Sequence, residues 1–306
     1  MGVLKMYDLD IYNTKTIFNN MVYSIDKIRL KTYITGFEFS KIEGFFNNFH
    51  KDKIKRFWIS DKKSSFHFNY NIEIEEGKSF IFQFMHNSES INFKNEILRY
   101  NFSIEFNPNK IKDNNLLLYI LNSFSNWFLR SFDLAIDIPI NILDILIDKS
   151  KKRSYKCFSS GSDNITYYLG TKERDGNVKI YNKKIESNLN IVGSLTRVEI
   201  TRKYDDFDLK GIKNFDFGNQ FPILFLNQYC FSFSDYTTAD KTLLAILYAV
   251  QSGYPLNNLS RRYREKVESL LKGGSSIEFN QDIANKVLLQ CIFYYFVREG
   301  SKQIIM

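Results

Sequence analysis

Histidine is scarce in this chain. Only His50, His67 and His86 occur among 306 residues, and no His-x-His pair is present. This argues against a histidine-caged metal, so a catalytic metal would be held mainly by oxygens, as magnesium or manganese is. Cysteine is equally sparse. Cys157, Cys230 and Cys291 are odd in number and widely spaced, without a C-x-x-C pair, which excludes a disulfide framework or metal finger and fits a reducing cytoplasm. No G-x-x-x-x-G-K-[ST] or G-x-G-x-x-G occurs, which argues against a nucleotide-driven motor or dinucleotide enzyme. No Ser or Cys lies in a recognisable nucleophile context with a histidine. Long apolar runs are missing too: Val287 to Val297 is broken by Gln290 and is too short for a bilayer. With no leader pattern at the start, the expectation is a soluble, unexported, cytoplasmic protein without a membrane partner.

What the chain does have is positive charge and aromatic bulk. Lys and Arg total 42 against 34 acids, a net charge of +8, which suits an anionic partner such as nucleic acid. At 44% hydrophobic and 16% aromatic, the chain can bury one large core or two ordinary ones.

Periodicity divides the chain. Ser24 to Thr35 alternates as a strand, and Ser40 to Lys51 places Ile42, Phe45, Phe46 and Phe49 at helical spacing. Phe66 to Glu75, Ser79 to Met85 and Ile97 to Asn107 alternate again, the first two joined by a turn at Glu76-Gly77-Lys78. The order then recurs. Trp127 to Pro139 reads as a strand and Asn141 to Ser150 as a helix, followed by strands at Arg153 to Ser159, Ile165 to Thr171, Asn177 to Lys183 and Leu195 to Lys203. Ser24-Ile25-Asp26 parallels Ser131-Phe132-Asp133, and Ser103-Ile104-Glu105-Phe106 parallels Arg197-Val198-Glu199-Ile200.

These patterns predict an α+β fold of two internally duplicated, mostly antiparallel sheet halves, with a C-terminal helical region. The expected divisions are 1–110, 111–205 and 206–306, with Leu116 to Phe128 as a connecting helix between the halves. Helices are expected over Asp240 to Gln251, Leu259 to Lys272 and Gln281 to Arg298. The middle one carries Arg261, Arg262, Arg264, Lys266 and Lys272, enough to line a duplex backbone. A solvated helix face has the same composition; the net charge tips the reading toward DNA.

Acids, cations and tyrosines on neighbouring strands carry the remaining chemistry. Side chains two apart on a strand share a face, so Lys179, Tyr181 and Lys183 project together, as do Arg197, Glu199 and Thr201, and Asp133, Ala135 and Asp137. A tyrosine hydroxyl, with a pKa near 10, needs a metal or cation nearby to attack a phosphate. Asp133, Asp137 and Glu199 could hold that metal, while Lys183, Lys184 and Arg197 could grip phosphate oxygens. Strand packing alone accounts for most tyrosines. Gly170 and Gly176 fit a turn between strands.

The ordered set Phe132-Asp133-Leu134-Ala135-Ile136-Asp137, Thr166-Tyr167-Tyr168-Leu169-Gly170, Lys179-Ile180-Tyr181-Asn182-Lys183-Lys184-Ile185-Glu186 and Thr196-Arg197-Val198-Glu199-Ile200 resembles the replication initiation factor (Rep_trans) family. That family includes initiators of rolling-circle plasmids and relaxases of some integrative conjugative elements. The resemblance spans about residues 24 to 203. It implies a site-specific nickase whose tyrosine attacks one strand at an origin, leaving a 5′-phosphotyrosine and a free 3′-hydroxyl, with Mg2+ or Mn2+ assisting. The family's tyrosine falls on Tyr181, with Tyr167 or Tyr168 as a fallback, and its acids fall on the Asp133/Asp137 strand and on Glu199. Lys183 and Arg197 join Tyr181 as expected catalytic residues, and Lys179, Lys184, Arg261, Arg262, Arg264 and Lys266 as expected DNA contacts. Origin DNA, a second copy of the chain, and a host helicase and polymerase are the implied partners. No N-terminal helix-turn-helix of the kind many conjugative relaxases carry is evident, which favours a plasmid initiator. A non-catalytic origin-binding initiator and a conjugative relaxase are the alternatives.

Overall fold

The computed structural model describes residues 15–35, 37, 38, 40, 41, 44, 56–59, 68–75, 78–85, 99–111, 115–148, 154–226, 241–251, 254 and 258–296, apart from 125, 161–163, 172, 173, 217, 219, 274 and 275. His50, His67, His86, Cys230, the Glu76-Gly77 turn and most of the helix expected over 40–51 lie outside the described residues.

Eleven of the fourteen strands among the described residues build one antiparallel sheet. Its first strands are β1 (Lys15–Phe18), β2 (Met21–Thr35), β3 (Arg56–Ile59), β4 (Phe68–Glu75), β5 (Lys78–Met85) and β6 (Arg99–Phe106). Helix α1 (Asn115–Asn122) leads to β7 (Phe128–Ile138) and β8 (Ile145–Ile147). Then come β9 (Tyr155–Ser159), β10 (Ile165–Leu169), β11 (Val178–Asn182), the short helix α2 (Lys183–Glu186) and β12 (Thr196–Asp208). The eleven-stranded sheet runs β3-β4-β5-β6-β2-β7-β12-β11-β10-β9, with β1 on β2. Strands 3-4-5-6-2 on one side of the seam are matched by 9-10-11-12-7 on the other, and β2 and β7 pair antiparallel where the two sets meet. The strand order thus repeats about the β2–β7 seam. The fold is α+β and mostly antiparallel.

Strand periodicity puts apolar side chains on one face only. Tyr23, Ile25, Leu134, Ile136, Ile180, Val198 and Ile200 are buried together, each such side chain contributing about 1.5–3 kcal/mol. Over β2 this face is covered by helix α5 (Gln281–Phe296), buried along most of its length. It is pinned to the first half: the backbone N–H of Asn280, just before it, donates to Tyr23 Oη (3.1 Å), and Tyr295 Oη donates to the carbonyl of Ile111 (2.6 Å). Trp127, also buried, packs on Phe102 and Phe124 and donates its indole N–H to the Leu121 carbonyl (2.9 Å).

Three expectations are corrected. Where a helix is expected over 141–150, the described residues 141–148 form none: Asn141 caps a 3₁₀ turn over Ile142–Asp144, and Ile145–Ile147 follows as strand β8. Ile145 and Ile147 are β-branched and buried on alternate positions, a pattern of period two that the helical spacing of Ile142, Ile145 and Leu146 masked. β8 forms a second, three-stranded sheet with β13 (Leu224–Leu226) and β14 (Ser276–Ile277). Consequently the region after residue 205 is not purely helical; β12 itself runs on to Asp208, β13 precedes α3 (Lys241–Gln251), and β14 follows α4 (Arg261–Gly273). Lastly, the strand expected to end at Lys183 ends at Asn182, whose side-chain carbonyl accepts from Ile185 N–H (3.2 Å) and turns the chain into α2.

Candidate functional site

Opposite the apolar face, the sheet presents a polar face, and register fixes which groups meet on it. Tyr181 stands across from Arg197, and Arg197 across from Asp137. One rung along, Lys179 faces Glu199, which faces Ala135. A further rung holds Thr201 and Asp133, with Lys27 beyond.

Tyr181 is 2% exposed, and its hydroxyl donates to Glu199 Oε1 at 2.5 Å. The Lys179 ammonium sits 3.8 Å above the Tyr181 ring and 4.0 Å from Glu199. Burial, reinforced by the Glu199 charge and hydrogen bond and opposed by Arg197, pushes the Tyr181 hydroxyl well above its ordinary range. Burial likewise raises the Glu199 carboxyl, against the pull of the Tyr181 hydrogen bond and of Lys179. The pair is therefore a neutral phenol bonded to a carboxylate of raised proton affinity, which is the starting arrangement for a general base and its nucleophile.

Arg197 is held rather than free to roam. Its Nε and Nη2 form a fork on Asp137 (2.5 and 2.7 Å), and its Nη1 reaches Asp26 Oδ2 at 3.2 Å. Asp26 was not singled out by the sequence patterns as a site residue. It is the extra residue of a bulge in β2, where the register with β7 slips between Ile25 and Lys27. A bulge re-aims a side chain that strict alternation would assign elsewhere. The signal available in the sequence was its match to Asp133 in the repeat. Asn107 Nδ2 holds its other oxygen at 3.2 Å. Ala135, across from Glu199, adds only a methyl to this face.

The three acids expected to share a metal do not converge. Asp133 lies four residues from Asp137 on one strand, about 13 Å away, and pairs with Lys27 at 3.4 Å. Both Asp137 oxygens accept from Arg197, and Glu199 accepts from Tyr181. Among the described residues no three His, Cys, Asp or Glu side chains are grouped to hold an ion. The expected magnesium or manganese therefore has no cage in the Asp133, Asp137 and Glu199 set as folded.

The remaining candidates divide. Lys183, now on α2, bonds Glu186 (2.9 Å) while its ammonium stays 5.7 Å from the Tyr181 ring. Lys184 donates to the carbonyl of Gly193 at 3.0 Å. Tyr168 is the register partner of Lys179 and shares the polar face, edge-on to Phe158, whereas Tyr167 faces the core against Tyr155. Burial pushes the Tyr167 hydroxyl up to about 12. Gly176, in the connection before β11, has a φ of 71°, and a β-carbon there would stand 2.7 Å from Gln220 Oε1. Arg261, Arg262, Arg264 and Lys266 lie on α4, which packs through Val267 with Val250, Leu146 and Phe225. Arg261 is 84% exposed and pairs with Glu265 at 2.8 Å.

A curated replication initiation protein from Staphylococcus aureus is 32% identical over 120 residues, 36% of this chain and 38% of that protein. The chain resembles a replication initiation protein. It spans well under half the length of that relative. A solved rolling circle replication initiator protein from Geobacillus stearothermophilus aligns over 63% of this chain and 78% of its own, at 11% identity and a TM-score of 0.39. No family model matches.

Proposed function

We propose that this protein is a rolling-circle plasmid replication initiator that binds origin DNA and nicks one strand with Tyr181. The observation that carries the reading is the Tyr181 to Glu199 hydrogen bond beneath the Lys179 ammonium. Glu199 takes the phenolic proton as the Tyr181 oxygen bonds to phosphorus. The bond from phosphorus to the 3′-oxygen breaks, and that oxygen takes a proton from solvent, leaving a 5′-phosphotyrosine and a 3′-hydroxyl able to prime synthesis. Lys179 and Lys183 supply positive charge for the phosphate oxygens as charge develops on them. Arg197, spent on Asp137 and Asp26, orients the acids and adds positive potential beside the tyrosine. Exposed cations of α4, Arg261 and Arg262 among them, are proposed to hold duplex backbone. A divalent ion would further polarise the phosphate; no step above depends on it.

A second reading, origin binding without cutting, draws on the burial of Tyr181, which at 2% exposure must be uncovered before it can meet a phosphate. One experiment separates the two. The protein is incubated with a library of single-stranded oligonucleotides in the presence of Mg2+, Mn2+ or chelator, and nucleotidyl-peptides are mapped by mass. An adduct on Tyr181, lost in Tyr181→Phe, is the expected result. Tight DNA binding with no adduct on any tyrosine leaves the non-catalytic reading.

A further inference from the structure

β11 and β12 form a hairpin whose last rungs are Tyr181 with Arg197 and Asn182 with Thr196. Beyond them the chain projects as residues 183–195, closed at its base by Lys183 N–H on the Leu195 carbonyl (2.8 Å). Its fold is fixed by further backbone bonds, from Ser187 N–H to Lys183 and from Leu189 N–H to Lys184, and by the Lys184 ammonium on Gly193. Its side chains are the surprise. Ile185, Leu189, Ile191 and Val192 are 38%, 37%, 37% and 106% exposed, four of the nine large apolar side chains exposed among the described residues. Apolar groups gathered on one protrusion, rather than scattered singly, mark a contact surface. On this protrusion the one acid, Glu186, is paired with Lys183 at the base (2.9 Å), where Lys184 stands as well; beyond it, from Ser187 to Thr196, only Ser187, Asn188, Asn190, Ser194 and Thr196 stand among the apolar residues.

We propose that Leu189, Ile191 and Val192 act as a wedge that inserts among DNA bases beside the phosphate presented to Tyr181, holding the strand unstacked there; this rests on the nicking reading. The occupant follows from chemistry. Aliphatic side chains unstack a base step when nearby cations hold the backbone, and here two lysines outnumber the single acid, Glu186, which Lys183 neutralises. Amides and hydroxyls interleaved with them can bond exposed base edges. The tip also lies at the end of the hairpin that carries Tyr181, so bases opened there neighbour the candidate cleavage point.

The test needs no cleavage. Tyr181→Phe protein is titrated with forked DNA carrying 2-aminopurine at the junction, alongside the same protein bearing Leu189→Ser, Ile191→Ser and Val192→Ser. Circular dichroism and the melting temperature confirm that the exposed substitutions leave the fold intact. The expected result is a fluorescence rise of at least ~2-fold with the intact tip, from unstacking, and none with the serine tip. The proposal fails if the rise survives the serine substitutions, or if neither protein gives one. It also fails if sedimentation shows that the serine tip turns a dimer into a monomer, since the tip would then be a contact between copies. Because adduct mapping reports on Tyr181 separately, a failure here is distinct from a failure of the nicking reading.

Discussion

The hydroxyl of Tyr181 and the carboxylate of Glu199 lie 2.5 Å apart on adjacent strands, offset by one rung, with the phenol as donor. The contact joins residues 18 positions apart in sequence, and neither side chain has its ordinary proton affinity.

Replacing Glu199 with Gln keeps a side chain of the same shape but removes the base. Adduct formation on Tyr181 should fall by ~10²–10⁴-fold. The pH profile is the sharper readout. Burial raises the Glu199 carboxyl, so the wild-type rate should climb with pH through a range above that of an ordinary carboxylate. Glu199→Gln should lose that limb, and an unchanged profile would remove Glu199 from the proton transfer.

The same shift makes a statement about stability. The folded state holds the Glu199 proton more tightly than the unfolded chain does. Its contribution is therefore fully present below the unfolded carboxylate range and fades as pH rises through the folded value. Urea melts of wild type and Glu199→Gln across that window should diverge, the variant gaining relative stability toward higher pH.

Arg197→Ala should cost about 3–5 kcal/mol, because it strands the largely buried Asp137 carboxylate without its fork. Arg197→Lys should recover part of that, since an ammonium replaces the charge but not the two parallel bonds. Chemical denaturation of the three proteins measures both.

Asp133→Asn tests the acid that folding separates from the others. Its partner Lys27 is half-exposed, so the stability change should stay within about 1 kcal/mol. Adduct formation should remain near wild type. A loss comparable to that of Glu199→Gln would return Asp133 to the site.

Trp127→Ala should destabilise by about 3–5 kcal/mol. The loss combines a cavity beside Phe102 and Phe124 with an orphaned Leu121 carbonyl. Thermal unfolding checks it.

Much of the sheet is readable from alternation, because β7, β11 and β12 turn apolar side chains to one face and mostly polar ones to the other, and period two survives in Leu134, Ile136, Val198 and Ile200. The same parity put Tyr181 with Lys179 and Glu199 with Arg197. Where parity breaks, the reading fails. Asp26 depends on a bulge whose slip in register leaves no mark in composition, and Lys183 leaves the strand because Asn182 caps a helix. Spacing also says which acids share a face but not which cation each one finds. Lys27 takes Asp133 and Arg197 takes Asp137, dispersing a set that looked like a metal cage. The strand β8 was misread because three isoleucines and two leucines within six residues satisfy helical and extended periods alike.

The placement of α5 on β2 has a consequence for synthesis. β2 emerges early and pairs with β7 at the seam, yet the helix that shields its apolar side is made some 250 residues later. At ribosomal rates of ~5–20 residues per second, that face waits uncovered for tens of seconds. A nascent chain of this protein is thus exposed to aggregation until residue 296 has cleared the exit tunnel, and its yield in a cell should depend on chaperone supply and translation speed more than its folded stability suggests.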